Sequence, residues 1–350
     1  MQKWKENIRK IDPYIPGEQP TGSDIIKLNT NENPYPPSPL VQKVISEYNY
    51  TNLRLYPSFI CPELKSALME NYTVNESEIF LGNGSDEVLA LCFMTFFNSS
   101  KPVIFPDITY SFYDVWCSLY NIPYCQIPLD KNFCIAKEDY YRENGGIVIT
   151  NPNAPTSIYM ELSDIEDIIK HNEDVIVIID EAYIDFGGKS AVELIHKYDN
   201  LVVVQTYSKS RSLAGIRVGY AMANSSLIDA LEAVKNSFNS YTLNSVSQAA
   251  AAASAKDKIY FQECVDKIVS AREWTVSELS KLGFETLPSK ANFIFTTNKN
   301  IGAEKLFNYL KSKNIFVRYF NKPRIREYLR ITIGTKEQME KLIKAIKEYN

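Results

Sequence analysis

The chain is 350 residues long, more than one compact domain commonly holds, so a large domain joined to a smaller one is the natural division. Hydrophobic residues make up 45% and charged residues 23%, an ordinary globular balance. The 38 basic and 42 acidic side chains leave a net charge of −4 with no long basic block, which argues against a general nucleic-acid partner while leaving room for a local cationic pocket. Cys61, Cys92, Cys117, Cys125, Cys134 and Cys264 form no C-x-x-C pair, and several sit in apolar runs, which fits a reducing cytoplasm. The first residues carry no apolar core of a signal peptide, and the apolar run near 89–97 is too short to span a bilayer, so no membrane segment is expected. His171 and His196 are the only histidines, which sets aside Ser-His-Asp triads and multi-histidine metal sites; no metal is expected.

Residues 1–37 read as an N-terminal arm. Asp12-Pro13-Tyr14-Ile15-Pro16-Gly17 and Asn31-Glu32-Asn33-Pro34-Tyr35-Pro36-Pro37 are dense in proline, which favours extended chain, and their aromatic rings suit docking on a partner. Residues 38–255 read as a large α/β domain. Seven strands are predicted at 79–81, 103–105, 124–127, 147–150, 175–179, 201–205 and 216–221, with helices beginning at Pro62, Ser85, Tyr110, Ser163 and Lys189. Runs such as Val-Ile-Val-Ile-Ile are apolar at every position and call for a mostly parallel sheet covered on both faces. In such sheets ligands collect at the carboxyl ends of the strands.

Those ends carry a coherent set of groups. Gly82-Asn83-Gly84-Ser85-Asp86-Glu87 opens a helix with Ser85 as its expected N-cap, and its glycines let backbone approach an anion. Tyr110 follows the second strand, where a ring can stack on a flat ligand. Asn151-Pro152-Asn153-Ala154-Pro155-Thr156-Ser157 forms a turn after the fourth. Asp180-Glu181-Ala182-Tyr183 sets a carboxyl and a phenol at the mouth of the fifth. Finally, 203–220 places Lys209 just past a buried strand, flanked by Thr206 and Ser208, with Arg217 eight residues on in the next strand-like run. Burial favours the free amine that attacks carbonyls, and the hydroxyls and guanidinium suit a phosphate. Each feature alone has a plain packing or capping explanation. Together they describe a site for pyridoxal 5'-phosphate, with Asp180 for the pyridine nitrogen and Tyr183 for the ring oxygen.

Residues 256–350 read as a small α+β domain: a helix from about 256 to 282 stopped at Leu282-Gly283, strands at 292–297, 315–319 and 328–333, and helices at 303–313 and 336–349. Arg330 lies between Leu329 and Ile331, and alternation alone leaves open whether it faces solvent. Arg318 and Arg324 are further candidates for binding an acid.

With these residues in hand the chain resembles the fold-type I pyridoxal-phosphate aminotransferases, with an aspartate-aminotransferase-like fold, and within them the histidinol-phosphate branch. The match runs in order through Pro13-Tyr14-Ile15-Pro16-Gly17, Leu28-Asn29-Thr30-Asn31-Glu32-Asn33-Pro34, Arg54-Leu55-Tyr56-Pro57, the turn at 82–87, Asp180-Glu181-Ala182-Tyr183, Ser208-Lys209 through Tyr220, and Leu329-Arg330-Ile331-Thr332-Ile333-Gly334-Thr335. The resemblance implies that Lys209 bonds the cofactor covalently, Asp180 pairs with its ring nitrogen, Tyr183 bonds its ring oxygen and Tyr110 stacks on it. It implies that Ser85, Asp86, Thr206, Ser208 and Arg217 surround the phosphate, joined by Tyr56 from the other subunit of a homodimer. Arg318, Arg330 and Asn31 are implied in substrate binding, with Tyr14 as a partner-subunit contact to the substrate phosphate. Where the family commonly has Asn-Pro-Asn-Asn-Pro-Thr-Gly, this chain has Ala154 and Ser157, so Asn153 is the expected substitute at the ring oxygen. The implied reaction converts histidinol phosphate and 2-oxoglutarate to imidazole acetol phosphate and glutamate in histidine biosynthesis. An aromatic amino-acid aminotransferase and a decarboxylase of a phosphorylated amino acid are the alternatives on the same scaffold. A regulator that has lost catalysis and a nicotinamide-binding protein rank lower, since there is no basic helix-turn-helix and no G-x-G-x-x-G.

Overall fold

Strands that are apolar along their whole length must be covered on both faces. The computed structural model, which describes residues 3–22 and 24–349, builds its larger sheet on that pattern. Across the sheet the strands are ordered Ile79–Gly82, Gly219–Ala223, Leu201–Thr206, Val177–Asp180, Gly146–Thr150, Val103–Pro106 and Tyr124–Ile127. The first six are buried at every residue, whereas Tyr124–Ile127, at the edge, exposes its first three. Alternate side chains go to opposite faces. Ile147, Ile149, Ile179 and Val203 pack under helices Pro62–Met69, Leu162–Lys170 and Ser245–Lys256. Val148, Ile178, Val202 and Val204 pack under Ser85–Phe96, Tyr113–Tyr120 and Ser225–Phe238.

The strands pair in parallel except Gly219–Ala223, which is antiparallel to both neighbours. This reversal matters for the site. Gly219 begins its strand opposite both Gly82 and Thr206, which end theirs, so the residues just before Gly219 arrive at the carboxyl edge of the sheet.

A second, antiparallel sheet is ordered Arg318–Tyr319, Leu329–Thr332, Phe293–Thr297, Glu285–Thr286. It packs with Lys258–Lys281, Ala303–Ser312 and Lys336–Tyr349 around its own core of Phe293, Ile331, Leu306 and Leu342. Asp257 separates the two long helices Ser245–Lys256 and Lys258–Lys281, its carboxylate accepting from Tyr260 N–H at 3.2 Å. Ile26–Lys27 pairs in parallel with Ile315–Phe316. Among the described residues no helix is long and apolar enough to cross a membrane.

Several local expectations shift. The run at 216–221 becomes a strand only from Gly219, because Arg217 takes a left-handed φ of 57° that breaks extended backbone. The helix expected from Tyr110 starts at Tyr113. No α-helix starts at Lys189: Ser190 caps a single turn, Ala191–Leu194, whose apolar residues are held against the sheet. The predicted strand at 315–319 splits into Ile315–Phe316 and Arg318–Tyr319, which join different sheets.

Candidate active site

At one end of the site is an anion cradle. Gly84, at φ 84°, rather than Ser85, is the N-cap of helix Ser85–Phe96, and Glu87 folds back to accept the Asn83 N–H at 2.6 Å. Arg217 reaches across, with Nη2 at 3.2 Å from Asp86 Oδ2 and Nη1 at 3.4 Å from Ser208 Oγ. Thr206 Oγ1 donates to Ser208 Oγ at 3.0 Å and accepts the Ser208 N–H at 3.1 Å. A side chain at Gly84 would meet the Arg217 guanidinium at 2.4 Å. Hydroxyls, a guanidinium and a helix start thus converge on one point, a donor set that fits a phosphate. A Cβ at Gly219 would lie 2.3 Å from the Ser85 nitrogen and 2.4 Å from the Gly84 carbonyl carbon, both fixed backbone. Gly219→Ala is therefore expected to destabilise the protein by about 1–3 kcal/mol and to weaken pyridoxal-phosphate binding together, checked by thermal denaturation and cofactor titration.

Lys209 lies beside this cradle, lining with Asp180, Tyr110, Ala154 and Arg217 a cavity of about 180 Å³. Its ammonium is 3.3 Å from the Thr30 carbonyl and 5.8 Å from the centre of the Tyr183 ring. Asn33, which sequence reasoning passed over, braces the lysine's loop by donating to the Lys209 and Ser210 carbonyls at 3.2 and 3.0 Å. Asp180 is buried, with Oδ2 at 2.8 Å from Tyr113 Oη and Oδ1 accepting the Ala182 N–H at 3.2 Å. Burial pushes its carboxyl up to about 6, against the pull of those hydrogen bonds. Tyr110 also lines the cavity, its hydroxyl donating to Asp86 Oδ1 at 2.8 Å. An amine, a buried acid and an anion cradle around one cavity fit pyridoxal phosphate.

Two asparagines depart from expectation. Asn153 does not line the cavity. Its amide nitrogen donates to the Ile108 carbonyl and Thr156 Oγ1, both at 2.9 Å, and its oxygen accepts from Thr109, so it is not free to replace the asparagine missing at Ala154. Asn31, expected to touch substrate, has both ends of its amide engaged: Nδ2 donates to Tyr183 Oη and Oδ1 accepts from Thr332, each at 3.0 Å. It also sits at a left-handed φ of 57°, which Asn tolerates.

The arginines come from the second sheet. Arg318 and Arg330 face each other directly on paired strands, and both guanidiniums lie over the Phe320 ring, at 5.3 and 5.5 Å. Arg330 is turned inward, where alternation left its direction open. Its Nη2 donates to the Asn29 carbonyl at 2.8 Å, while its buried Nε has no hydrogen-bond partner among the described residues. Desolvation lowers its pKa from the usual guanidinium value. Arg324 is committed elsewhere, paired with Asp107 at 2.8 Å and bonded to the Leu129 and Asp130 carbonyls. Tyr14 stacks on Phe112 of its own chain at 4.2 Å and lines a groove of about 970 Å³ with Arg318. Tyr56 lies apart from the cavity, 82% exposed and stacked on Tyr241.

Glu181 points into the protein beneath the site, accepting from Ser190 Oγ, Ala191 N–H and Gln205 Nε2. Burial nevertheless pushes its carboxyl up to about 7. Since this lies above its unfolded value, the folded state binds the proton more tightly; that stability is present below about pH 4.5 and lost as pH rises through about 7. Glu181→Gln removes the titration, so its melting temperature relative to wild type is expected to climb between pH 5 and pH 8, by the equivalent of roughly 2–3 kcal/mol.

A lysine, an acid and a phosphate cradle at the strand ends of such a sheet define a pyridoxal-phosphate-dependent enzyme. The chain belongs to the aminotransferase class I and II family, whose model matches residues 23–346, and within it to the histidinol-phosphate aminotransferases. It is 53% identical over 346 residues to the histidinol-phosphate aminotransferase of Lactococcus lactis subsp. cremoris strain MG1363, covering 99% of this chain and 97% of the relative. The Clostridium botulinum strain Langeland enzyme is 51% identical, covering 99% of each chain. Among solved structures, the histidinol-phosphate aminotransferase of Clostridium acetobutylicum superposes with a TM-score of 0.86 at 25% identity over 93% of this chain and 99% of that one. That of Sinorhizobium meliloti, in complex with pyridoxal-5'-phosphate, gives 0.83 at 20% identity over 93% of this chain and 92% of that one.

Proposed function

We propose that this chain transfers the amino group of histidinol phosphate to 2-oxoglutarate, giving imidazole acetol phosphate and glutamate. The observation that carries this reading is the direct pairing of Arg318 with Arg330 on neighbouring strands. Two like charges set side by side destabilise a sheet unless an anion joins them, and each substrate brings one, a phosphate or a carboxylate.

Pyridoxal phosphate, when bound, supplies an electron-withdrawing ring that takes up the electron pair left on the substrate's α-carbon. Ser85, Thr206, Ser208 and Arg217 would hold its phosphate end, with Asp86 steadying Arg217, while Asp180 would keep a proton at the ring nitrogen and Tyr183 would donate to the ring oxygen. Tyr110 covers the ring face. Lys209 would anchor the cofactor, and its amine is placed to act as a general base and acid that takes the proton from the substrate's α-carbon and later returns one. Arg330 and Arg318 orient the acid groups of both substrates in turn. Asn31, through its hydrogen bond, aims the Tyr183 hydroxyl rather than contacting substrate.

The active form in this reading is a homodimer sharing its sites, with the partner subunit's Tyr56 reaching the cofactor phosphate; Tyr14, stacked on Phe112 and lining a groove with Arg318 of its own chain, serves its own site rather than the partner's as expected. Support comes from the 50–60 segment, which exposes Tyr50, Leu53, Leu55, Tyr56, Phe59 and Ile60 together, an apolar surface of the kind that is covered by another protein. Six free cysteines suit a cytoplasmic setting.

The test is a panel of amino donors with 2-oxoglutarate and the purified holoenzyme. Turnover per KM is expected to be highest with histidinol phosphate. Greater turnover per KM with tyrosine or phenylalanine, or release of carbon dioxide from threonine phosphate without glutamate formation, would replace this reading.

A further inference from the structure

Glycines on both sides of Asn83 give the turn that opens the phosphate cradle wide backbone freedom, so something else must fix it. It is held by contact on three sides. Beneath, the bare backbone of Gly219 reaches Ser85 and Gly84, and at one flank Arg217 rests against Gly84. The third side is Glu87, whose Oε2 accepts the Asn83 N–H at 2.6 Å and would lie 3.2 Å from a Cβ at Gly82. Capping of the helix accounts for that bond. It does not account for Thr242, 155 positions away, whose hydroxyl donates to the same oxygen.

Thr242 is itself anchored. It lies in the loop between helices Ser225–Phe238 and Ser245–Lys256, where Gln248 donates to the Leu243 carbonyl at 2.9 Å and to that of Ser58 at 2.7 Å, and Tyr241 stacks on Tyr56 at 4.7 Å. The N–H groups of Ser85 and Asp86, in the first turn of helix Ser85–Phe96, have no acceptor within that helix and suit an anion. A loose carboxylate at position 87 would be drawn to the same groups and compete with a phosphate for them. Two donors on Oε2 turn its charge back toward the end of strand Ile79–Gly82 instead.

We propose that Thr242 and Glu87 are positioning residues for the phosphate end of the cofactor: the Thr242 hydroxyl pins the Glu87 carboxylate against the Gly82–Gly84 turn, fixing the backbone donors that face the anion and keeping the carboxylate off them. The inference rests on the reading of residues 82–87 with Arg217 as the phosphate cradle. It also gives the loop at 239–243 a task. Tyr56 and Tyr241 are both exposed, so a second copy seated on them would steady Thr242 and, one hydrogen bond further on, the cradle.

Full-length protein stripped of cofactor and titrated with pyridoxal phosphate, with pyridoxal, and with inorganic phosphate as a competitor tests this. Thr242→Val keeps the volume of the side chain and removes its hydroxyl. It is expected to weaken pyridoxal phosphate and inorganic phosphate about tenfold, the worth of one hydrogen bond to a charged group, and to leave pyridoxal within about twofold of wild type. Thr242→Ser should restore most of the affinity, and Thr242→Ala gives the same contrast if the valine variant does not fold. In a cycle with Glu87→Ala, the double variant should bind phosphate no more weakly than Glu87→Ala alone. Unchanged phosphate affinity in Thr242→Val, or an equal loss for pyridoxal, overturns the proposal, and additive losses in the cycle remove Glu87 as the go-between. Arg217→Gln, measured alongside, keeps the two readings apart: if the cradle holds the phosphate it lowers affinity for pyridoxal phosphate and not for pyridoxal, and no such difference would place the phosphate elsewhere.

Discussion

Lys209→Ala is expected to lower turnover by at least ~10⁴-fold while leaving pyridoxal phosphate bound. The lysine has two tasks in the proposed reaction, covalent anchor and proton carrier, and among the described residues no other lysine lines the cavity. The phosphate cradle is built from Arg217, Ser208, Thr206 and the start of helix Ser85–Phe96, none of which depends on the lysine side chain. Borohydride reduction of wild type should fix the cofactor on the peptide carrying Lys209, and the variant should yield no labelled peptide. Label on a different lysine, or turnover within tenfold of wild type, would end the assignment.

Arg330→Ala should likewise spare the cofactor but remove the grip on substrate rather than the chemistry. Its Nε is buried with no partner among the described residues and its Nη2 is tied to the Asn29 carbonyl, so the fork is held ready for an anion whose binding it then makes charge-assisted. Loss of such a desolvated partner costs about 2–5 kcal/mol, a rise in KM of roughly 30-fold to several thousand-fold for both the amino donor and the keto acid. Arg330→Lys should recover only part of it, because an ammonium cannot reproduce the planar fork. Cofactor affinity measured by absorbance titration should stay within a few-fold of wild type. Parallel loss of cofactor would show that Arg330 shapes the cavity rather than binds substrate.

The strand positions and most of the site were legible because they rest on local signals. Uninterrupted apolar runs marked the buried strands, and Asp180, Lys209 and the glycine turn at 82–84 each lie within a few residues of such a run's end. Helix Ser245–Lys256 was not predicted, since its alanine-rich sequence lacks the apolar-polar contrast that reveals a helical face. Ser85 was misread as a cap because serine at a helix start is usually one; the left-handed glycine before it takes the position instead. Asn153 was misassigned for a different reason: its neighbours in sequence pointed to the ring, but Ile108 and Thr109, more than forty positions away, claim its amide.

Sequence alone determined the chemistry available to this protein: which strands are buried, and which amine, acid and hydroxyls follow them, since these depend on residue type and local period. Tertiary structure decided who faces whom. The antiparallel strand Gly219–Ala223 brings Arg217 back to the carboxyl edge, cross-strand register sets Arg318 against Arg330, and Asn31 crosses from the arm to Tyr183. Those pairings join residues from 12 to 152 positions apart, and no local propensity encodes them; they follow from register and from the need to satisfy every buried polar group.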